Sequence, residues 1–163
     1  MQRYRNKKAQ EVGKEPAENE PALCPKVARL PDNLLEFAEE PRDLVILDES
    51  GKPILAGDNS RRFFEASWMH KHNGKYYFSY STGDTHLICY ATSNNPYGPF
   101  TYQGVILNPV IGWTNHHSVV EFRNKWYLFY HDSSLSGGIT HLRCAKVTEL
   151  KHRPDGTIET ITA

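Results

Sequence analysis

The chain is short of several things, and each shortage removes a class of protein. Its three cysteines, Cys24, Cys89 and Cys144, stand far apart and without a CxxC spacing, which fits neither a disulfide framework nor a zinc site. Net charge is zero, with 19 basic and 19 acidic side chains in 163 residues. The electrostatic footprint of a nucleic-acid binder, or of a protein drawn to an anionic membrane, is therefore missing. No apolar stretch of about 18 residues is present to cross a bilayer. The charged, proline-bearing start "MQRYRNKKAQEVGKEPAENEP" holds no apolar core of a signal peptide. A cytoplasmic location is expected, with no nucleic acid and no membrane as partner. At this length a single domain is expected as well.

What is present in quantity is aromatic. Phe, Trp and Tyr make up 12% of the chain and gather after residue 60, which places the core and the site in that half. Residues 1–43 are rich in Lys, Glu, Pro and Asn and poor in large apolar side chains, so they read as an N-terminal arm with little regular structure. Residues 44–163 carry the folded part. It opens with "RDLVILDESGKPILAGD", two short apolar runs around a turn at Glu49-Ser50-Gly51, which is a hairpin signature.

From there the chain repeats itself. "HNGKYYFSYSTGDTHLICYAT" lies over "FRNKWYLFYHDSSLSGGITHLRCAKV", with Lys75 matching Lys125 and "YYFSY" matching "WYLFY". "GDTHLICYAT" then matches "GITHLRCAKV" after a longer loop, "DSSLSGG". A period near 50 residues with several short strands per unit is the pattern of β-propeller blades, small antiparallel sheets that must stack on one another. The strands are expected over Ala66–Lys71 and Ser118–Phe122, then over Tyr76–Tyr80 and Trp126–Tyr130, with a third beginning at Leu87 and Leu142. The fold class is thus all-β, with two clear blades and a hairpin at 44–57 that could belong to a third. Closed propellers need at least four blades, so this is a partial propeller with open edges.

The repeat converts into a prediction about the site. Glu65, in "RRFFEASWMH", falls over Asn115 in "TNHHSVV", so both units put polar groups at the entrance of their first strand, facing one shared axis. A carboxyl group framed by Phe63, Phe64 and Trp68 is costly to ionise, the profile of a general acid. Of His116 and His117 only one can face the axis, because neighbours in a strand alternate; a metal ligand and a hydrogen-bonding core residue are both open for it. The loops "STGDTH" and "HDSSLSGGITH" bring Asp84, His86, His131, Asp132 and His141 to the same side. Arg143 stands where the sister unit has Ile88, and a charge in place of an apolar residue calls for a task.

The stretch "FFEASWMHKHNGKYYFSYSTGDTHLICYATSNNPYGPFTYQGVILNPVIGWTNHHSVVEFRNKWYLFYHD" resembles glycoside hydrolase family 43, the five-bladed propeller enzymes acting on β-xylosides and α-L-arabinofuranosides. The resemblance extends from "MQRYRN" to "THLRCAKVTEL" and corresponds to the C-terminal half of such an enzyme, about half of its propeller. It implies an inverting acid/base mechanism with Glu65 as general acid, His116 as the histidine associated with a central metal or water, and Arg143 as a sugar contact. Phe64, Trp68, Trp113 and His117 are expected to complete the substrate site. No cofactor is required by the resemblance, and calcium is the candidate ion for the axis. Both aspartates of the family's carboxyl trio would precede this chain, in Asp-Pro contexts that are absent here. Asp84 and Asp132 are then the speculative substitute bases. Two copies would supply about five blades, so a homo-oligomer that completes the propeller around a xylo- or arabino-saccharide is expected. The alternative is a catalytically inactive truncated propeller that only binds carbohydrate.

Overall fold

The computed structural model describes residues 15–113 and 115–162, and the "MQRYRN" part of the resemblance lies outside them. In the arm, two-residue strands β1 (Lys26–Val27) and β2 (Arg42–Asp43) pair antiparallel. A five-stranded sheet follows, built from β3 (Ile46–Leu47), β4 (Glu65–His72), β5 (Lys75–Ser81), β6 (Ile88–Ser93) and β7 (Phe100–Leu107) in the order β3-β7-β6-β5-β4. A three-stranded sheet of β8 (His117–Phe122), β9 (Lys125–Asp132) and β10 (Cys144–Leu150) has the order β10-β9-β8. These two sheets are the blades. No helix among the described residues is long and apolar enough to cross a membrane.

Each blade begins with the same device. The β4–β5 turn sits on Asn73 and Gly74 at φ 47° and 81°, and the β8–β9 turn on Arg123 and Asn124 at φ 52° and 60°. Two consecutive residues with positive φ make the two-residue hairpin whose twist matches that of its strands. The expected strands fall on β4, β5, β6, β8, β9 and β10, with ends shifted by one or two residues. Strand β7 lay outside the repeat and was not anticipated. The 44–57 hairpin also differs from expectation. It does turn back on itself, with the Ile54 amide donating to the Ile46 carbonyl at 3.1 Å, yet it starts no third blade. Instead β3 joins the edge of the first blade parallel to β7, because Leu44, Ile46 and Ile54 bury against that blade's face.

Alternation along β5 shows how the layers stack. Phe78 and Tyr80 face a core shared with Leu44, Ile46, Ile54 and Phe63 of the arm side. Tyr77, pointing the other way, belongs to a second core with Ile88, Tyr90, Val119 and Leu128. The order of layers is the 44–63 segment with Val27 of the arm, then the first blade, then the second blade. None of the three cysteines forms a disulfide among the described residues.

Candidate active site

Glu65 is the first residue of β4, and the strand is irregular there. Glu65 pairs with Ser81 and Trp68 with Ser79, so two residues, Ala66 and Ser67, stand opposite one. Ala66 takes φ 59°, a left-handed conformation that an alanine adopts only when its surroundings impose it. Such a bulge re-aims the neighbouring side chain. Here it turns Glu65, 18% exposed, toward His116, whose Nε2 lies 3.4 Å from Oε1 of Glu65. The repeat therefore brings together the two positions the sequence pointed to, one from each blade.

The frame around this pair is built from both blades. Phe64 donates its amide to the Ser81 carbonyl at 2.9 Å, and its ring covers Gly83, where a Cβ would come within 2.7 Å of Cγ. His116 donates its amide to Nε2 of His131 at 3.1 Å, which requires the His131 proton on Nδ1. Burial, the Arg143 charge and His116 together hold the His131 pKa below its ordinary value, keeping the ring a neutral acceptor. Asn115 is buried and accepts the His131 amide at 3.4 Å, while its Nδ2 finds no hydrogen-bond partner among the described residues. Arg143 precedes β10, is exposed, and donates from Nε to the Thr140 carbonyl at 3.1 Å. Trp113 is half-exposed and meets the His86 ring edge-on at 4.6 Å. Its loop is tied down by the Ser133 amide donating to the Ile111 carbonyl at 2.8 Å.

Three residues take places other than those expected. Trp68 donates its indole N–H to the Val119 carbonyl at 2.9 Å and packs on the core between the blades, so its ring is part of the seam. His117 is bonded through Nε2 to Ser79 Oγ at 2.6 Å, and burial, with a smaller contribution from His116, pushes its pKa down to about 3. A neutral imidazole locked to the first blade is a structural group. The candidate base Asp132 is buried and fully engaged: Oδ1 accepts from Cys144 Sγ at 2.6 Å and from the Ser134 amide and hydroxyl, and Lys146 lies 3.4 Å from Oδ2. Burial works against the charge, but these donors outweigh it and lower the pKa, so Asp132 is a poor proton acceptor. The other candidate, Asp84, is exposed on its loop. Ser79, which holds His117, was not singled out from the sequence, since a serine inside an aromatic strand carries no signal of its partner. The pairing of His86 with Trp113 was equally invisible, as it joins loops of different blades.

A partly buried carboxyl group thus lies at the mouth of a bulged strand, among aromatic and imidazole groups on two stacked blades. The Glycosyl hydrolases family 43 model matches residues 32–158, and the chain belongs to that family. It is 66% identical over 161 residues to a xylosidase/arabinosidase of Bacteroides ovatus, covering 99% of this chain and 50% of that protein. The structure of RS223 β-xylosidase superposes with a TM-score of 0.88 at 71% identity, over 91% of this chain and 46% of the other. CoXyl43, a family 43 β-xylosidase/α-arabinofuranosidase from a compost metagenome, gives 0.87 at 70% identity over 89% and 44%; its structure is a calcium-free complex with xylotriose. The chain spans about half the length of the curated relatives it matches, corresponding to their C-terminal half, and about half of a propeller.

The calcium-free description of that neighbour makes calcium worth testing against this site. Calcium takes six to eight oxygen ligands, mostly carboxylate, carbonyl and water. Among the described residues the groups around His116 are imidazoles and the Glu65 carboxylate, and no three His, Cys, Asp or Glu side chains form a metal-holding group. The described side chains do not make a calcium site by themselves.

Proposed function

We propose that the chain is the acid-bearing half of an inverting glycoside hydrolase for terminal β-xylosyl or α-L-arabinofuranosyl linkages. The observation that carries this is the placement of Glu65: a partly buried carboxyl group, aimed by a bulge and framed by Phe64, with a single imidazole beside it. Glu65 in its protonated form donates to the departing glycosidic oxygen as the bond to the anomeric carbon breaks. His116 is positioned to receive a hydrogen bond from that carboxyl group before transfer, or to give one afterwards. Trp113, exposed at the rim, offers a face for a sugar ring, and Arg143 a charged donor for its hydroxyls.

Inversion also needs a base about 6.5–9.5 Å across from the acid to activate water. Asp132 is committed to its own donors, so the base comes from outside the described residues or from the exposed loop of Asp84. We therefore place the working enzyme in an assembly that completes the propeller, with a second copy of the chain as the source of the missing sheet. Proton transfer from Glu65 requires no metal; treatment with a chelator is expected to leave turnover unchanged, and a loss reversed by calcium would return the ion to the mechanism.

The missing base also favours a second reading, a propeller fragment that binds carbohydrate without cleaving it. Hydrolysis of aryl β-D-xyloside and aryl α-L-arabinofuranoside by the purified chain and by Glu65→Gln separates the two. Turnover that drops at least about a thousandfold in the variant, as expected when a general acid and its charge are both lost, supports the enzyme. Xylotriose binding without turnover in either protein supports the binding reading, and an identical rate in both removes Glu65 from the chemistry.

A further inference from the structure

Near Glu65 the two blades hold the start of their first strands in different ways. In the first blade the backbone does it: beyond the bulge Glu65 still pairs with Ser81, and the Phe64 amide donates to the Ser81 carbonyl at 2.9 Å. In the second blade the β8–β9 ladder ends at the rung His117–Tyr130, while β9 runs on to Asp132 along β10. Past that rung two side chains accept the amides. The His116 amide donates to Nε2 of His131 at 3.1 Å, and the His131 amide donates to Oδ1 of Asn115 at 3.4 Å. The exchange is reciprocal between the two stretches, and its shorter, stronger arm is the one that His131 supplies.

A backbone that has left the ladder regains φ and ψ freedom unless other bonds hold it. His116 is held on both sides of its Cα. On one side its own amide is tied to His131, whose backbone is paired with Ala145 of β10. On the other side His117 is bonded through Nε2 to Ser79 Oγ at 2.6 Å, on the first blade. With both anchors in place the His116 ring lies with Nε2 3.4 Å from Oε1 of Glu65, and within 21° of parallel to the His131 ring. All of these contacts are made within the two blades.

We propose that His131 is a positioning residue for the acid: by accepting the His116 amide it fixes the backbone that carries the His116 imidazole to Glu65. His131 acts through His116, and His116 through the Glu65 carboxyl group. The inference rests on the reading of Glu65 as general acid for its catalytic consequence, and on geometry alone for the tie itself. The tie requires an acceptor at the place of Nε2, so the need is for a lone pair rather than for an imidazole. Two substitutions separate these. His131→Phe keeps a planar ring of similar size and has no acceptor, whereas His131→Gln puts an amide oxygen near the place of Nε2.

The test compares the full chain with these two variants. Circular dichroism is expected to be unchanged, since His131 pairs with β10 through its backbone. Exchange of the His116 amide with solvent, followed by NMR, is expected to quicken about fivefold or more in His131→Phe and to return to within about twofold of wild type in His131→Gln, since one ordinary hydrogen bond is lost and then replaced. Amides of the β8–β9 ladder are expected to exchange alike in all three. The carboxyl carbon resonance of Glu65 is expected to move in His131→Phe and to stay near its wild-type place in His131→Gln. In turnover, His131→Phe is expected to lose about tenfold or more on methoxyphenyl β-D-xyloside, whose leaving group needs a proton, and no more than about threefold on the dinitrophenyl glycoside, whose leaving group departs without one. Unchanged exchange at His116 in His131→Phe overturns the proposal. So does an unmoved Glu65 resonance, an equal loss on both glycosides, or a His131→Gln variant as impaired as His131→Phe. If wild type turns over neither glycoside, the acid reading fails, and exchange and resonance alone decide the role of His131.

Discussion

The two blades are built from matching sequence and end in different circumstances. "YYFSY" on β5 and "WYLFY" on β9 have the same aromatic content, yet Tyr77 to Ser81 are all buried while on β9 only Leu128 of the matching five is. Among the described residues, the first blade lies between two layers and the second has one neighbour. Burial of a strand is thus a property of what stacks on it, and a repeat can specify the sheet without specifying its cover.

The comparison can be broken first at the second blade's single covered face. Leu128→Ala removes a fully buried side chain from the core between the blades and is expected to destabilise by about 2–5 kcal/mol, read as a shift in the urea midpoint. If instead the change is as small as at an exposed site, the seam between blades is not holding the second blade.

Gly83 and Gly138 occupy the same place in "GDTH" and "GITH" and sharpen the comparison at the loops. Both have positive φ, 79° and 96°, so alanine is strained at each. At Gly83 the added Cβ also meets the Phe64 ring at 2.7 Å, while at Gly138 its nearest contact is an ordinary 3.6 Å to Ile111. Gly83→Ala is expected to cost about 1–3 kcal/mol and to reduce any turnover by displacing the residue next to Glu65. Gly138→Ala is expected to cost about 1 kcal/mol. Equal effects on stability and turnover would show that Phe64 yields freely.

The seam itself carries a pH signature. Burial is the first cause of the lowered pKa values of His70, His117 and His152, with neighbouring imidazoles adding to it; His70 and His152 meet Nε2 to Nε2 at 3.1 Å, a contact that needs one lone pair. Since these folded pKa values lie below the unfolded one of about 6.5, the unfolded chain binds more protons as pH falls. Stability is therefore full above pH 6.5 and declines below it, by up to about 1.4 kcal/mol per pH unit for each histidine that stays neutral in the folded state. His117→Gln is expected to flatten the urea midpoint between pH 6.5 and 4. An unchanged slope would mean that His117 is not protected from protons.

The smallest effect is expected on the open face. Phe129→Ala, one residue from Leu128 and on the other side of the sheet, is expected to change the stability of the dilute single chain by no more than about 0.5 kcal/mol. A loss comparable to that of Leu128→Ala would show that the face is already covered.

Much of this arrangement was readable beforehand because propeller blades are locally coded. The two-residue turns at Asn73-Gly74 and Arg123-Asn124, the aromatic alternation and the repeat each act over a few residues. Strand β7 escaped because it lies after the repeated segment, and its register with β6 is interrupted twice, which blurs its alternation. Glu65 and Asn115, with His116 beside it, were legible as matching positions in a repeat. Trp68 and Asp132 were not, because an indole N–H or a carboxylate looks the same in sequence whether it faces a sugar, the Val119 carbonyl or the Cys144 thiol.

By itself the sequence determined the all-β class, the two blades and their hairpins, and the pairing of Glu65 with the "NHHS" segment, since these follow from turn chemistry, side-chain alternation and a shared repeat. Tertiary structure decided which face of each blade is covered, which polar groups are consumed by the fold and which are left for chemistry. Those outcomes depend on distances between residues tens of positions apart, such as Trp68 with Val119 and Ser79 with His117, which are fixed only when the layers pack.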